Sequence, residues 1–443
     1  MKKLFRIFLV LVTAFTLVAC DKDGNVEVGG VVIDFSQSLV QKTEITVWID
    51  DEDGEYMAAI IDAFNAQYPN IVVHFTHMGS VDSREKLKTF GPSGNGADVF
   101  QFPHDHLAAA YSEGLLYALP TDTQELIDSR AHQMGIDIAT INENGVDTLY
   151  AVPMSIEAVT MYYNKALVSS VPGTLEEILT AGATWNAATV ASTHADSTDT
   201  RTNAEAGYYY LTTSSHWADS YFDQFIFSSF GFRPFGANGD DPSAVGFESQ
   251  AMQDALAFMV DDLKPVVTGG NDNVDGQGAN FESGKIPYII AGPWMNSTYT
   301  AALGDDLGIS VLPSVDGAAS KPYAGAIMAA VYKYAKNPSD AIKFVEFLNS
   351  DEAMAIQYEY KTKLPALKAD LIAQIEGVSD DQLLMTTAQQ LENAIPMPTI
   401  SAVQNYWGPA ESLIKNVWIN GVEIATAVSN AEQSYRTLQG LSS

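Results

Sequence analysis

The spacing of apolar residues changes period repeatedly along the chain. Residues 44–49, Glu-Ile-Thr-Val-Trp-Ile, alternate polar and apolar positions and predict a strand with one buried face. Asp50-Asp51-Glu52-Asp53-Gly54 makes the turn after it. Met57, Ile60, Ile61 and Phe64 then recur at helical spacing until Pro69 ends the helix. A second strand is predicted at 71–75. Such strand–helix–strand units place ligand-binding turns at the carboxyl ends of their strands. Gly94-Asn95-Gly96-Ala97-Asp98 leads into a strand over 99–102, which delivers the chain into Pro103-His104-Asp105-His106 and a helix over 107–113 closed by Gly114.

Further along, 159–163 reads as a strand and 185–216 as an irregular insertion rich in Ala, Thr, Ser and Asp. A run of aromatic residues from Tyr208 to Phe230 follows, most of it expected in a core. Helical spacing over 247–263 precedes a helix end at 281–285 and a buried strand over 286–291, with Gly292-Pro293-Trp294 at its carboxyl end. Another strand is predicted at 323–331. Asn337 and Asp351 are expected to cap the next two helices. Residues 366–443 read as helical apart from 396–400.

Within 151–165, Ala-Val-Pro-Met-Ser-Ile-Glu-Ala-Val-Thr-Met-Tyr-Tyr-Asn-Lys, one acid, Glu157, stands among uncharged residues. An acid in a buried strand is costly unless something polar faces it. Two readings stand: a carboxylate satisfied by the backbone or an arginine, or one that faces a cleft where two lobes meet.

A length of 443 residues exceeds one ordinary core and suggests two domains. With 55 acids against 23 bases the net charge is −32, which repels nucleic acid and anionic lipid. The N-terminus adds a compartment. Lys2, Lys3 and Arg6 precede a short apolar run over 9–17, and Leu17-Val18-Ala19 precede Cys20, the single cysteine. The run is too short for a stable transmembrane helix and reads as a secretory signal over 1–19. Small residues before the cysteine resemble a bacterial lipobox, which would make Cys20 the lipid-bearing first residue of an extracellular, membrane-tethered chain, with 20–42 as its linker.

Chemistry-bearing motifs are sparse. Glycine-rich phosphate loops are missing from the first strand–helix–strand unit, so a nucleotide site has no support. His74, His77, His104 and His106 lack a cysteine partner and a zinc-like spacing, and neither metal nor cofactor is expected.

These marks, in this order, resemble the extracellular solute-binding proteins of sugar ABC transporters, and among them the maltose/maltodextrin-binding family. The resemblance runs from Thr43 to Leu438. It rests on Val47-Trp48-Ile49, Ala97-Asp98-Val99, His104-Asp105 with Gly114-Leu115-Leu116, and Ile156-Glu157-Ala158 with Tyr163-Asn164-Lys165. It continues in Gly292-Pro293-Trp294, Val311-Leu312-Pro313, Ser320-Lys321-Pro322-Tyr323 with Gly325, Met397-Pro398 and Tyr406-Trp407.

The resemblance implies an α/β, two-lobed periplasmic-binding-protein fold with a hinge and an interlobe ligand cleft. One lobe would hold 43–156 and 324–365, the other 157–323 and 366–443. It also implies a monomer that takes an oligosaccharide and presents it to permease subunits. By the same resemblance Asp50 and Glu52 would take sugar hydroxyls, as would Asp105 and Glu157. Phe102 stands where that family stacks a tryptophan, and Trp294 and Trp407 match stacking tryptophans. Tyr406, Trp217 and Tyr221 complete the expected pocket with His106.

Basic residues of that pattern are replaced here by Asp53, His106 and Glu411. Malto-oligosaccharide is the first expectation, and a different glycan or an amino sugar competes with it. Two other classes stay open. A glycosidase would use Asp105 and Glu157 as a carboxylate pair, and a surface lipoprotein without transport would keep the fold and lose the closing cleft.

Overall fold

The computed structural model describes residues 26–28, 31–33, 42–143 and 145–441. The leader over 1–19, Cys20 and most of the expected linker lie outside the described residues. Among those described, no helix is long and apolar enough to cross a membrane.

Val26–Val28 (β1) and Val31–Ile33 (β2) pair antiparallel. Thr43–Ile49 (β3) and Ile71–His77 (β4) pair parallel across the helix Glu55–Gln67, and Val99–Pro103 (β5) joins β3 on the other side. Thr140–Glu143 (β6) and Val146–Leu149 (β7) form a hairpin. Val152–Glu157 (β8) belongs to the first large sheet, whereas Thr160–Asn164 (β9) already lies in a second. The chain therefore changes sheet immediately after Glu157.

The second sheet has the order β10-β11-β9-β12, with Leu211–Thr213 as β10, Tyr288–Ala291 as β11 and Leu307–Ser310 as β12. Tyr323–Val331 (β13) brings the chain back to the first sheet, where it lies antiparallel to both β5 and β8. Ile395–Pro396 (β14) adds a short parallel edge beside Tyr323 and Ala324. β13 is buried along its whole length, as a central strand covered on both faces should be.

Two large apolar cores correspond to the two sheets. The first gathers Ile45, Val47, Phe64, Phe100, Met328 and Phe344 with their neighbours, and the second gathers Trp217, Phe225, Leu256, Ile290, Leu413 and Trp418 with theirs. Ala366, Leu367, Ile375, Val378 and Leu384 pack in the first core, although their segment was expected in the second lobe.

Several local expectations need revision. The helix Asp351–Lys361 is capped by Ser350, whose hydroxyl accepts from Ala353 N at 3.1 Å, and Asp351 instead pairs with Arg130. Asn337 makes no cap bond at the start of the helix Pro338–Leu348 and donates to Glu44 O at 3.0 Å. The span 185–216 contains short helices at Val190–Thr193 and Asn203–Ala206. The second of these starts with a reciprocal Thr202–Glu205 capping box. Residues 366–443 are broken into separate helices, of which Gln382–Leu391, Trp407–Trp418 and Ile424–Gln439 are the longest.

Candidate functional site

The carboxyl ends of strands from both sheets converge on one cavity of about 560 Å³. From the first sheet, Asp50 follows β3 directly. Its backbone N–H donates to Gln101 Oε1 at 2.9 Å, and its carboxylate accepts from Ser80 N at 3.3 Å at the start of the helix Ser80–Phe90. β5 ends in the single turn His104–His106, which sets His104, Asp105 and His106 on the cavity wall. His104 Nδ1 accepts from Ala326 N on β13 at 3.1 Å. Glu157 closes β8 and pairs in register with Gly325 of β13, and both line the cavity.

The second sheet supplies the facing wall. Asp219, Ser220 and Tyr221 come from the loop after β10, and Trp294 from the turn Pro293–Met295 after β11. Trp407 and Glu411 lie four residues apart on the helix Trp407–Trp418, hence on one face. The aromatic rings form a connected wall. Trp294 lies 6.3 Å from Tyr221, Tyr221 lies 6.0 Å from Tyr323, and Tyr323 meets Trp407 edge-on at 6.1 Å. Trp294, which lines the cavity, leaves 38% of its surface exposed.

Burial dominates the electrostatics. It pushes Asp105 up to about 6, against hydrogen bonds from Gln404 and Trp407 that favour the anion. Gln404 Nε2 reaches from the other side to both the carboxylate and the carbonyl of Asp105, at 3.1 and 3.0 Å. Burial also raises Glu157, opposed by the charge of Lys363. Burial lowers His104 and His106 to about 4, and the charge of Arg84 adds to the effect on His106. Both imidazoles are therefore neutral near pH 7. Glu157 Oε2 and His106 Nδ1 are buried without a hydrogen-bond partner. Unmet polar atoms aimed at a cavity are what a polyhydroxylated ligand would satisfy.

Of the residues expected from sequence, the structure brings Asp50, Asp105, His106, Glu157, Tyr221, Trp294 and Trp407 onto this cavity. Four others are corrected. Phe102 is fully buried, stacked on Phe100 at 5.0 Å, because β5 is an interior strand between β3 and β13. Trp217 is 1% exposed in the second core. Tyr406 is buried and stacked on Phe247 at 5.3 Å, where it supports Trp407 from behind. Glu52 is exposed in the turn after β3 and does not line the cavity.

Some cavity residues that sequence reasoning did not place in the pocket had local signals. Asp219 sits two positions before Tyr221, and Glu411 one helical turn after Trp407. Gly325 had a signal only through the resemblance, and Lys363 had none, because only the return of the chain brings it to the cavity.

A parallel-and-antiparallel pair of sheets with a polar, aromatic cleft at their strand ends defines a two-lobed solute-binding protein. The chain belongs to the bacterial extracellular solute-binding protein family, whose pattern matches residues 49–355.

Two relatives from Bacillus subtilis (strain 168) are each 26% identical. The galactooligosaccharide-binding protein aligns over 90% of this chain and 90% of its own length. The maltodextrin-binding protein MdxE aligns over 94% and 92%. Among solved structures, MalX from Streptococcus pneumoniae in complex with maltopentaose superposes with a TM-score of 0.76 at 22% identity, covering 89% of this chain and 100% of that one. The maltose-maltodextrin binding protein of Alicyclobacillus acidocaldarius superposes at 0.73 with 24% identity, covering 89% and 100%. These superpositions establish the two-lobed fold.

Proposed function

We propose that this chain captures an oligosaccharide in the cleft and delivers it to the permease of an ABC importer, working as a monomer tethered outside the cell through lipid on Cys20. The observation that carries the reading is the cleft itself, lined by the partly exposed Trp294 and by Trp407 together with the carboxylates of Asp50, Asp105 and Glu157. Pyranose rings offer apolar C–H faces that stack on aromatics and hydroxyl rims that donate to carboxylates. The names of relatives support the ligand class: galactooligosaccharide, maltodextrin and maltooligosaccharide binding proteins, the last described as an ABC transporter lipoprotein of Streptococcus pneumoniae.

The two lobes are the bodies around the two cores. They hinge where β8 passes to β9, where β12 passes to β13, and where the chain after Leu384 returns to the second core. Contact of one ligand with both lobes shifts the open–closed equilibrium, and the closed form docks on the permease. The reading is one of binding without turnover, as the relatives' names describe; release of shorter sugars from maltotriose would overturn that part.

A thermal-shift screen of the full chain in detergent tests the proposal, with maltose to maltoheptaose, galactooligosaccharides and cellotriose as neutral ligands. A ligand present at a hundred times its dissociation constant adds about 2.7 kcal/mol of stability. A shift with any of them is the expected result. Silence across saccharides of every type would refute it.

A further inference from the structure

We infer that the sugar held against Glu157 carries an ammonium group, so that the cleft selects an amino sugar over its fully hydroxylated counterpart. The inference rests on the saccharide reading above.

Five carboxylates, Asp50, Asp105, Glu157, Asp219 and Glu411, line the cavity, and Lys363 is the sole lysine or arginine among its described lining residues. His104 and His106 add no positive charge near neutral pH, because burial keeps both rings neutral. His216 stands 3.8 Å from Glu411 at the rim.

The five acids differ in how the protein answers them. Asp50 accepts from Ser80 N, and Asp105 from Gln404. Asp219 accepts from Ser215 Oγ at 2.6 Å and from Tyr221 N at 3.0 Å. Glu411 pairs with Lys415 on its own helix. Glu157 is the exception. It is 8% exposed, and its Oε2 is buried with no partner.

Burial raises Glu157 and the charge of Lys363 on the same cavity opposes it, yet no ion pair or hydrogen bond joins the two among the described residues. Gly325, paired in register beside the acid on β13, lines the same cavity.

Sugar hydroxyls can fill the lone pairs of a buried carboxylate but leave its charge in a dry site. An ammonium supplies donors and the opposite charge together. The flat rings of Trp294 and Trp407 would hold the pyranose while its ammonium turns toward Glu157. The net charge of −32 works in the same direction, by raising the local concentration of cationic ligands.

The test adds oligomers of glucosamine and of galactosamine to the neutral panel and measures dissociation constants by calorimetry on the full chain. We expect an amine saccharide to bind at least tenfold more tightly than any neutral one, with the preference shrinking as salt is raised. A neutral saccharide that binds as tightly as either amine overturns the inference and leaves the saccharide reading standing. Absence of binding by every saccharide removes both.

Two substitutions read the same preference as a ratio. Glu157→Gln should bring the amine-to-neutral ratio close to one. Lys363→Met, which removes a competing cation, should widen it. An unchanged ratio in both would dismiss Glu157 as the recognising group.

Discussion

Trp294 and Trp217 are the same residue type in opposite situations, and the difference decides what each can contribute. Trp294 presents an open face to the cavity, whereas Trp217 is sealed in the second core. Trp294→Ala should weaken saccharide binding by about 2 kcal/mol or more, some thirtyfold, with little change in unfolding midpoint. Trp407→Ala should weaken binding and also cost stability, because its ring packs on Tyr323 and Tyr406. Trp217→Ala should do the reverse of Trp294→Ala, at about 3–5 kcal/mol of stability. Calorimetric titration beside urea unfolding separates the patterns.

Asp105 carries a second residue-scale consequence. Burial lifts it from 3.8 to about 6, so between roughly pH 4 and 6 the folded chain keeps a proton that the unfolded chain has released. Its contribution to stability therefore falls as pH rises through that window, by roughly 3 kcal/mol in all. His104 works the other way. Lowered from 6.5 to about 4, it makes the fold lose stability as pH drops through the same range. The slopes oppose each other, so the wild-type curve alone hides both. Asp105→Asn removes one of them. Its stability relative to wild type should rise by roughly 3 kcal/mol between pH 4 and 7 in urea titrations; a flat difference would mean that Asp105 titrates normally.

At the scale of elements, the turns after the strands position these side chains, and Gly292 is the sharpest case. A Cβ on Gly292 would lie 2.1 Å from the ring of Trp294, which folds back over the turn. The obstacle is a partly exposed side chain, so Gly292→Ala should push the indole aside, lowering affinity severalfold at a cost of about 1 kcal/mol or less in stability. Equal affinity in the variant would show that the indole position is immaterial. Gly276 contrasts with it, because its Cβ would meet the carbonyls of Thr213 and Ser215 at 2.1 Å, and backbone cannot step aside.

Strands β3, β5, β9 and β13 were legible in the sequence because burial on one or both faces writes alternation or an unbroken apolar run. The turns holding Asp50, Asp105 and Trp294 were legible for the same reason, since they sit where those runs stop. Phe102 was misplaced because an apolar residue at a strand end carries no mark of which way it points. Trp217 and Tyr406 were misplaced because neighbours in sequence, Tyr221 and Trp407, take the cavity positions. The Thr202–Glu205 box was readable, yet it lay in a polar stretch whose composition suggested a loop.

At the scale of the whole molecule, the site exists only because three passages of the chain bring two cores face to face. Gly325 reaches Glu157 through pairing across more than 150 residues, and Lys363 reaches the cavity through the return of the chain, neither of which a local pattern encodes. Among the hydrogen bonds that tie the bodies together around the cavity are those of two side-chain amides. Asn296 Nδ2 donates to Thr362 O at 2.8 Å, and Gln404 Nε2 donates to Asp105.

The second tie ends on a carboxylate that lines the cavity, so it links lobe closure to the chemistry of the site. A hydrogen bond to a charged group contributes about 1.5–3 kcal/mol. Its loss should therefore move the closed-to-open ratio by about tenfold or more. Gln404→Leu keeps the side-chain bulk and removes the donor. In small-angle scattering the unliganded variant should show a larger radius of gyration than the unliganded wild type. Saturating saccharide should bring the two together, because a ligand touching both walls replaces the missing tie. Apparent affinity should fall by the same factor as the closed population, since binding must then supply the closure. Identical scattering and affinity in the variant would assign Gln404 to local packing and leave closure to the aromatic wall.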